Sequence, residues 1–391
     1  MNYQNHRLKV LENINNDSCV VAVSAANPMQ VSGSFEYPYR QDSNFLYLCG
    51  YANPDAVLMF GVDTSTLFVR KPDEHDLLWD VNTIDFDHIK QQTKVDYILP
   101  LDQLESWINQ HKGRDFYVPH TQQPPHFRAQ VNAAQSQLIE MLQKNGVDKI
   151  KDAQGAIAEA RRVKDEDELA LIEQAITVTH QAFSDLDLNV DYEYQLESQI
   201  TKTFIDHKAR HAYSPIVASS DRATILHYQD NDAALPDDCM VLIDAGAEVG
   251  GYAADVTRMF ELGQPSGLQR QMLTIVTELQ QRAIERVKPG VTIREFATEF
   301  REDLLQEAQK AGYVTHDATI KDTINLMPHG VCHYLGLEVH DAGDYEAPFE
   351  PGVVLMVEPG LYLFDKKLGV RLEDAVVVTD DGCRLLAESI Q

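Results

Sequence analysis

No stretch of this 391-residue chain approaches the ~20 consecutive apolar residues of a membrane-spanning helix, so no membrane partner is expected. The opening residues, Met1-Asn-Tyr-Gln-Asn-His-Arg7, contain no apolar core of a secretory signal. Cysteine is scarce. Cys19, Cys49, Cys239, Cys332 and Cys383 are odd in number and scattered, without a C-x-x-C pair. That pattern argues against a disulfide framework and a thiolate zinc site, and a reducing cytoplasm is the expected location. Positive charge is also short, with 33 Lys and Arg against 61 Asp and Glu, a formal balance of −28. Phosphate binding needs clustered basic side chains, so nucleic acid is excluded as a partner. The acidic residues are dispersed rather than blocked, which reads as a solubilising surface.

What is present is a core-forming composition, 44% hydrophobic, in a chain long enough for two domains. Residues 20 to 70 read as alternating strands and turns, with apolar runs at Val20 to Val23, Ala56 to Phe60 and Thr66 to Val69. A less ordered stretch around Gln122-Gln-Pro-Pro125 precedes a helix from about Ala129 to Lys144, closed by Asn145-Gly146. Residues 152 to 167, rich in charge and alanine, read as the connection between two halves, 1–155 and 156–391. In the second half, Leu169, Ile172, Ile176, Thr179 and Phe183 repeat at helical spacing behind an acidic first turn. Further helices are expected over Leu268 to Val287 and from the capping box Thr292-x-x-Glu295 to Gly312. Strand-like blocks fall at Met240 to Asp244, Tyr252 to Phe260, Val353 to Val357 and Val370 to Val378. The fold class expected is α+β, two domains in series.

Five residues in these blocks carry the chemistry: Asp244, Asp255, His333, Glu358 and Glu373. Asp244 and Asp255 flank a glycine-containing turn, Glu248-Val-Gly-Gly251, and Glu358 and Glu373 flank a second strand–loop–strand unit. Each unit can present two carboxylates on one face through side-chain alternation. Four carboxylates at one point repel by on the order of 3 kcal/mol per pair at ~5 Å and an effective dielectric near 20. Such a cluster needs protons or cations. His333 lies in His329-Gly-Val-Cys-His333-Tyr-Leu-Gly-Leu-Glu-Val-His340 and supplies an imidazole. An oxygen-rich set with one nitrogen suits Mn²⁺, Co²⁺ or Fe²⁺ better than structural zinc. Two such ions can share a water acidified toward neutrality, a hydroxide nucleophile. Singly, an aspartate ending a strand is most often a turn or cap residue and a histidine most often a satisfied polar group. Five compatible residues in strand contexts are a different matter.

The stretches Leu242-Ile-Asp-Ala-Gly246, Tyr252-Ala-Ala-Asp-Val-Thr-Arg258, His329 to Asp341, Val357-Glu-Pro-Gly360 and Arg371-Leu-Glu-Asp374 resemble the pita-bread metallopeptidases. That family includes methionine aminopeptidase, aminopeptidase P and prolidase, and the likeness spans roughly residues 165 to 385. The resemblance implies that Asp244 chelates one metal, that Asp255 and Glu373 bridge two, and that His333 and Glu358 complete the other. It makes Glu358 the proton acceptor as well. His227, in Ile225-Leu-His-Tyr228, matches a substrate-side histidine, His329 and His340 match two further pocket histidines, and Arg371 matches an arginine near the metals. Two divalent ions are implied, Mn²⁺ first, with Co²⁺, Fe²⁺ and Zn²⁺ as the other candidates.

The first half resembles the smaller mixed α/β amino-terminal domain of the proline-specific branch, through Tyr37-Pro-Tyr-Arg-Gln-Asp-Ser-Asn-Phe-Leu-Tyr-Leu-Cys-Gly-Tyr51 and Asn53-Pro-Asp55. These look more like aminopeptidase P than prolidase, whereas Met327-Pro-His-Gly330 is prolidase-like. At Ala218-Ser-Ser-Asp-Arg222 the chain departs from the family's Ser-Gly-x-Asn turn, placing Ser220 where glycine is usual. The activity implied is release of the first residue from peptides with proline second, by attack of a hydroxide bridging the two metals. Prolidase action on X-Pro dipeptides is the alternative, and a non-catalytic peptide-binding scaffold a remote one, since all five ligand types are intact. A homodimer or homotetramer is implied as well.

Overall fold

The computed structural model describes residues 1–33, 35–79, 85–120 and 132–387. The chain forms two compact units, Met1–Arg161 and Arg162–Gln391. The Gln122-Gln-Pro-Pro stretch and the expected start of the following helix lie outside the described residues, and the helix is described from Ala133 to Lys144.

In the first unit a six-stranded mixed sheet runs in the order Tyr97–Pro100, Ser65–Val69, Ala56–Phe60, Cys19–Ser24, Asp115–Val118, Ile150–Asp152. Cys19–Ser24, Ala56–Phe60 and Ser65–Val69 are buried throughout, which is why their sequences read as unbroken apolar runs rather than alternating ones. Leu104, Ile108, Leu138 and Leu142, from the helices Leu104–His111 and Ala133–Lys144, pack on Val20, Met59, Phe68 and Phe116. One expectation needs correction. Residues 20 to 70 are not all strand and turn, because Asp42 caps a helix, Ser43–Cys49, through the Phe45 N–H. The two units divide within residues 152 to 167, between Arg161 and Arg162. These residues contain the helix Gln154–Arg162, with Ala153 and Ile157 fully buried. The first helix, Tyr3–Ile14, went unread because its apolar positions are few. Its buried Arg7 donates to the carbonyls of Leu48, Thr93 and Lys94, the orphan acceptors at two helix C-termini.

The second unit carries the pita-bread arrangement. One antiparallel sheet has the order Ile216–Ser219, Cys239–Ala245, Val256–Leu262, and another Cys332–Tyr334, Val354–Val357, Asp374–Val378, Cys383–Leu385. A backbone bridge between Thr257 and Glu373 stitches the two sheets together. Helices Glu166–Ser184, Glu193–Asp206, Gly267–Arg286 and Ile293–Ala311 accompany them. Their apolar faces are buried as the spacing predicts, with Ile172, Ile176, Thr179 and Phe183 inside on the first. Thr292 and Glu295 form the predicted capping box, and Gly312 closes that helix at φ 74°. Phe296, Phe300 and Leu304 of that helix share one core with Met272, Leu279, Val357, Leu361, Tyr362 and Val376.

Two blocks expected as continuous strands are interrupted where they meet the site. Tyr252 to Phe260 divides into Tyr252–Ala253 and Val256–Leu262, with Asp255 in the break, and Val370 to Val378 divides at Leu372-Glu373. A broken strand frees its side chain from the strict alternation of the sheet. The turn between the two aspartates is a two-residue hairpin pairing Val249 with Tyr252, and both Gly250 and Gly251 have positive φ, as a type I′ turn requires. Gly246 is constrained by space instead. A Cβ there would sit 1.9 Å from the Ala254 carbonyl oxygen and 2.8 Å from the Tyr213 ring. Gly246→Ala should therefore destabilise the fold by about 1–3 kcal/mol by overpacking. Urea unfolding of the two proteins checks this, and an unchanged midpoint would contradict it.

Candidate metal centre

The five sequence-selected residues converge at the seam between the two sheets. Asp244 pairs with Thr257 across the ladder, and Thr257 in turn bridges to Glu373, so the register places Asp244 and Glu373 on either side of one residue. His333 pairs with Met356, one residue from Val357, after which Glu358 leaves the strand with its N–H held by the Val331 carbonyl. Asp244, Asp255, His333 and Glu373 are buried, and the Glu358 side chain is 17% exposed. Asp255, His333 and Glu373 each offer a ligand atom within 4.8 Å of the others. His333 Nε2 stands 3.6 Å from Asp255 Oδ2, 3.5 Å from Glu373 Oε1 and 3.7 Å from Glu358 Oε1. Its Nδ1 lies 3.1 Å from the Tyr334 carbonyl, which can only accept, so Nδ1 carries a proton and Nε2 is the ring atom turned to the carboxylates; against burial, Glu373 and Glu358 raise the affinity of the ring for a second proton.

The remaining carboxylate oxygens are engaged. Arg371 Nη2 donates to Asp244 Oδ2 at 2.5 Å. The Tyr213 hydroxyl lies 2.5 Å from Asp244 Oδ1 and 2.6 Å from Asp255 Oδ1, with one proton to share between them. Thr257 donates to Glu373 Oε2 at 2.8 Å. Behind Glu373, the buried Arg258 donates to its carbonyl at 2.8 Å and to Asp374 at 2.5 Å, and Gln280 donates to the other Asp374 oxygen. Tyr213, Thr257 and Tyr362 escaped the sequence reading. Thr257 and Arg258 lay inside a motif already singled out, but Ala212-Tyr-Ser-Pro215 carries no pattern that marks Tyr213.

Charge completes the picture. Burial, then Glu373 and Asp244, push the Asp255 carboxyl well above the usual range, and burial likewise raises Glu373 despite its contact with His333. Burial alone would raise Glu358 as well, but His329, His333 and Arg371 outweigh it and bring the group down to about 2. His329 Nδ1 is 3.3 Å from Glu358 Oε2, and its Nε2 is 3.0 Å from the Tyr362 hydroxyl, which also receives Arg371 Nη1. His340 packs edge-on to His333 at 4.5 Å, and burial, with help from His333 and His227, lowers it to about 4. His227 lies on the exposed loop after the turn Ser220–Thr224, within electrostatic reach of His340. Four carboxylates thus face one guanidinium. The excess negative charge, the oxygen-rich donors and the Nε2 turned among them fit divalent cations, which would take the place of the protons the cluster otherwise draws in, and the set is sufficient for two.

Fold and donor set together define a metal-dependent hydrolase. The chain belongs to metallopeptidase family M24, whose model matches residues 170–380. The model of the aminopeptidase P N-terminal domain matches residues 3–117. Among curated proteins, the Xaa-Pro aminopeptidase of Escherichia coli strain K12 is 31% identical over 421 residues, covering 99% of this chain and 94% of that one. Xaa-Pro aminopeptidase 3 of Mus musculus is 29% identical over 95% of this chain and 78% of its own. Among solved structures, proline aminopeptidase P II from Yersinia pestis aligns with a TM-score of 0.87 at 30% identity, covering 100% and 96% of the two chains. Aminopeptidase P from E. coli with the inhibitor Pro-Leu gives 0.87 at 28%, covering 100% and 96%.

Chelation should lower the melting midpoint and added Mn²⁺ restore it, a ligand at a hundred times its dissociation constant contributing about 2.7 kcal/mol. The sign with pH follows from the raised carboxyls. Without metal, the folded cluster holds protons that the unfolded chain has lost, so stability falls as pH rises above the unfolded carboxylate range. The stabilisation by Mn²⁺ should therefore be larger at pH 8 than at pH 5, and a scanning-calorimetry series showing the reverse would contradict the assignment.

Proposed function

We propose that the protein is a metal-dependent Xaa-Pro aminopeptidase, releasing the first residue from peptides with proline second. The observation that carries this is the buried Asp255–His333–Glu373 cluster, flanked by Asp244 and Glu358, in a chain similar over 99% of its length to an Xaa-Pro aminopeptidase. Asp244, Asp255, His333, Glu358 and Glu373 would hold the ions. Mn²⁺ is the first candidate, with Co²⁺, Fe²⁺ and Zn²⁺ after it, and the oxygen-rich set with one imidazole suits Mn²⁺, Co²⁺ or Fe²⁺ better than a structural zinc. A pair of such ions supplies a Lewis acid for the scissile carbonyl and acidifies the attacking water.

The chain's own groups do the rest. Glu358, ionised and only partly covered, is placed to take a proton from the attacking water. The bond broken is a tertiary amide without an N–H, so the departing proline nitrogen must receive a proton, which Glu358 can return. Arg371 and Tyr213 hold Asp244 in place, and the His329–Tyr362–Arg371 chain of contacts fixes the side of Glu358 away from the cluster. His227 and His340, within electrostatic reach of one another, are assigned to the substrate. A homodimer or homotetramer belongs to the same proposal, and the exposed Met29, Phe35, Leu78 and Trp79 of the first unit are apolar surface that such an assembly would cover. The five free cysteines are in keeping with a reducing, cytoplasmic setting.

Release of the first residue from X-Pro-X′ tripeptides, measured by chromatography beside X-Pro dipeptides, tests the activity. Turnover of the dipeptide alone would replace the assignment with prolidase. Glu358→Gln should lower kcat by roughly 10²–10⁴-fold, as expected on losing a general base, whereas His227→Ala should be milder and weigh more on KM. Equal, small effects of both would remove the roles given to them.

A further inference from the structure

The segment that carries His227 has little regular structure of its own beyond the short turn Ser220–Thr224. It leaves the strand Ile216–Ser219 and returns toward Cys239–Ala245, and His227 is exposed near its middle. What fixes it comes from outside. Glu193, the first residue of the helix Glu193–Asp206, is fully buried. Its Oε1 accepts the backbone N–H of Ser219 at 2.8 Å and the Ser219 hydroxyl at 2.6 Å. Its Oε2 accepts the Tyr228 hydroxyl at 2.8 Å and the backbone N–H of Ala233 at 3.1 Å. One carboxylate therefore grips the segment before it starts, beside His227, and after it ends. Four donors fill the roughly four lone-pair positions that a carboxylate offers, and the helix N-terminus favours the negative charge. One turn along the same helix, Glu197 accepts from the side-chain amide of the buried Asn231, whose oxygen takes the N–H of Val217.

We propose that Glu193 is the positioning residue for His227, setting where the imidazole stands by clamping its loop at three points. The proposal rests on the assignment of His227 to the substrate. Glu193 reaches neither the substrate nor the cluster and acts only through the backbone on either side of His227. The chemistry of the clamp makes it testable with an isosteric change. Each oxygen of Glu193 faces a backbone N–H, so the amide of Glu193→Gln meets a donor whichever way it is turned. Tyr228→Phe removes one of the four contacts and leaves the carboxylate in place.

The experiment measures kcat, KM and Pro-Leu dissociation constants for Glu193→Gln, Tyr228→Phe, His227→Ala and the double variants with His227→Ala, with metal content followed by elemental analysis. For Glu193→Gln we expect kcat/KM on an X-Pro-X′ peptide to fall roughly tenfold, the scale of a small misplacement of one group. Pro-Leu binding should weaken in step while metal content is unchanged, and Tyr228→Phe should show a smaller loss of the same kind. Once His227 is alanine, adding Glu193→Gln or Tyr228→Phe should cost nothing more. Losses that multiply in the double variants, or loss of metal with Glu193→Gln, would overturn the proposal and leave Glu193 a support of the fold. Should Glu193→Gln fail to fold, the Tyr228→Phe comparison decides by the same criterion. A wild-type protein that binds Pro-Leu but cleaves no X-Pro-X′ peptide would overturn the activity itself, a distinct result from a failed clamp.

Discussion

Mutual repulsion among four clustered carboxylates, three of them buried, sets the terms for the second unit. Asp255 is pushed well above the usual carboxylate range and Glu373 is raised as well, so a proton or a cation must intervene, and the guanidinium of Arg371 answers from the side of Asp244. A fold left with that imbalance loses stability in proportion to how tightly the groups are packed. The architecture does not relax the packing. It rigidifies it through Thr257, through Tyr213 shared between two aspartates, and through the Arg258–Asp374 pair that fixes Glu373 by its backbone. The strain is thus preserved for cations to relieve, which is how a site attains affinity for hard divalent ions without many neutral ligands.

The same logic explains where the sheets break. A continuous strand through Asp255 or Glu373 would point alternate residues to opposite faces and bring only some donors to the seam. Interruptions at Ala254-Asp255 and Leu372-Glu373 release both side chains from that alternation, while the Thr257–Glu373 bridge keeps the two sheets in register across the gap. Gly246 allows the first ribbon to fold back against Ala254 at a distance no side chain would permit. Rigid strands on both sides and short irregular breaks between them give a site that is precise because its irregular parts are very short.

The carboxylates, the imidazole and the long amphipathic helices were legible in the sequence because each is tied to a period or to a short run of neighbours. Ile172, Ile176 and Phe183 declare a helix face, and Thr292 with Glu295 declares its start. Asp244 and Glu373 were legible only as members of a set, since either alone reads as a turn residue. What the sequence could not show depends on contacts between distant positions. Tyr213 matters because strand pairing brings it to Asp244, 31 residues on, and to Asp255, 42 residues on. Glu193 looks like an ordinary first-turn glutamate until its partners at Ser219, Tyr228 and Ala233 are known. The helix Ser43–Cys49 failed to announce itself because it is buried on most sides and carries no amphipathic period.

Ser220 shows a local backbone conformation imposed by a distant side chain. It adopts φ 53°, the left-handed conformation that glycine takes without penalty and that a residue with a Cβ takes at about 1–2 kcal/mol. The related peptidases place glycine in this turn, and here the backbone keeps the glycine conformation although the residue has changed. A shape that survives the loss of its easiest residue must be imposed by its surroundings. Ser219, immediately before it, is held at both its N–H and its hydroxyl by Glu193, and the chain is caught again at Tyr228 and Ala233. The turn therefore has no freedom to relax toward ordinary φ without breaking contacts to a buried charge. Those contacts together outweigh the strain, since hydrogen bonds to a charged group contribute about 1.5–3 kcal/mol each. The conformation beside His227 is thus set by the buried carboxylate rather than by the residue that occupies the turn.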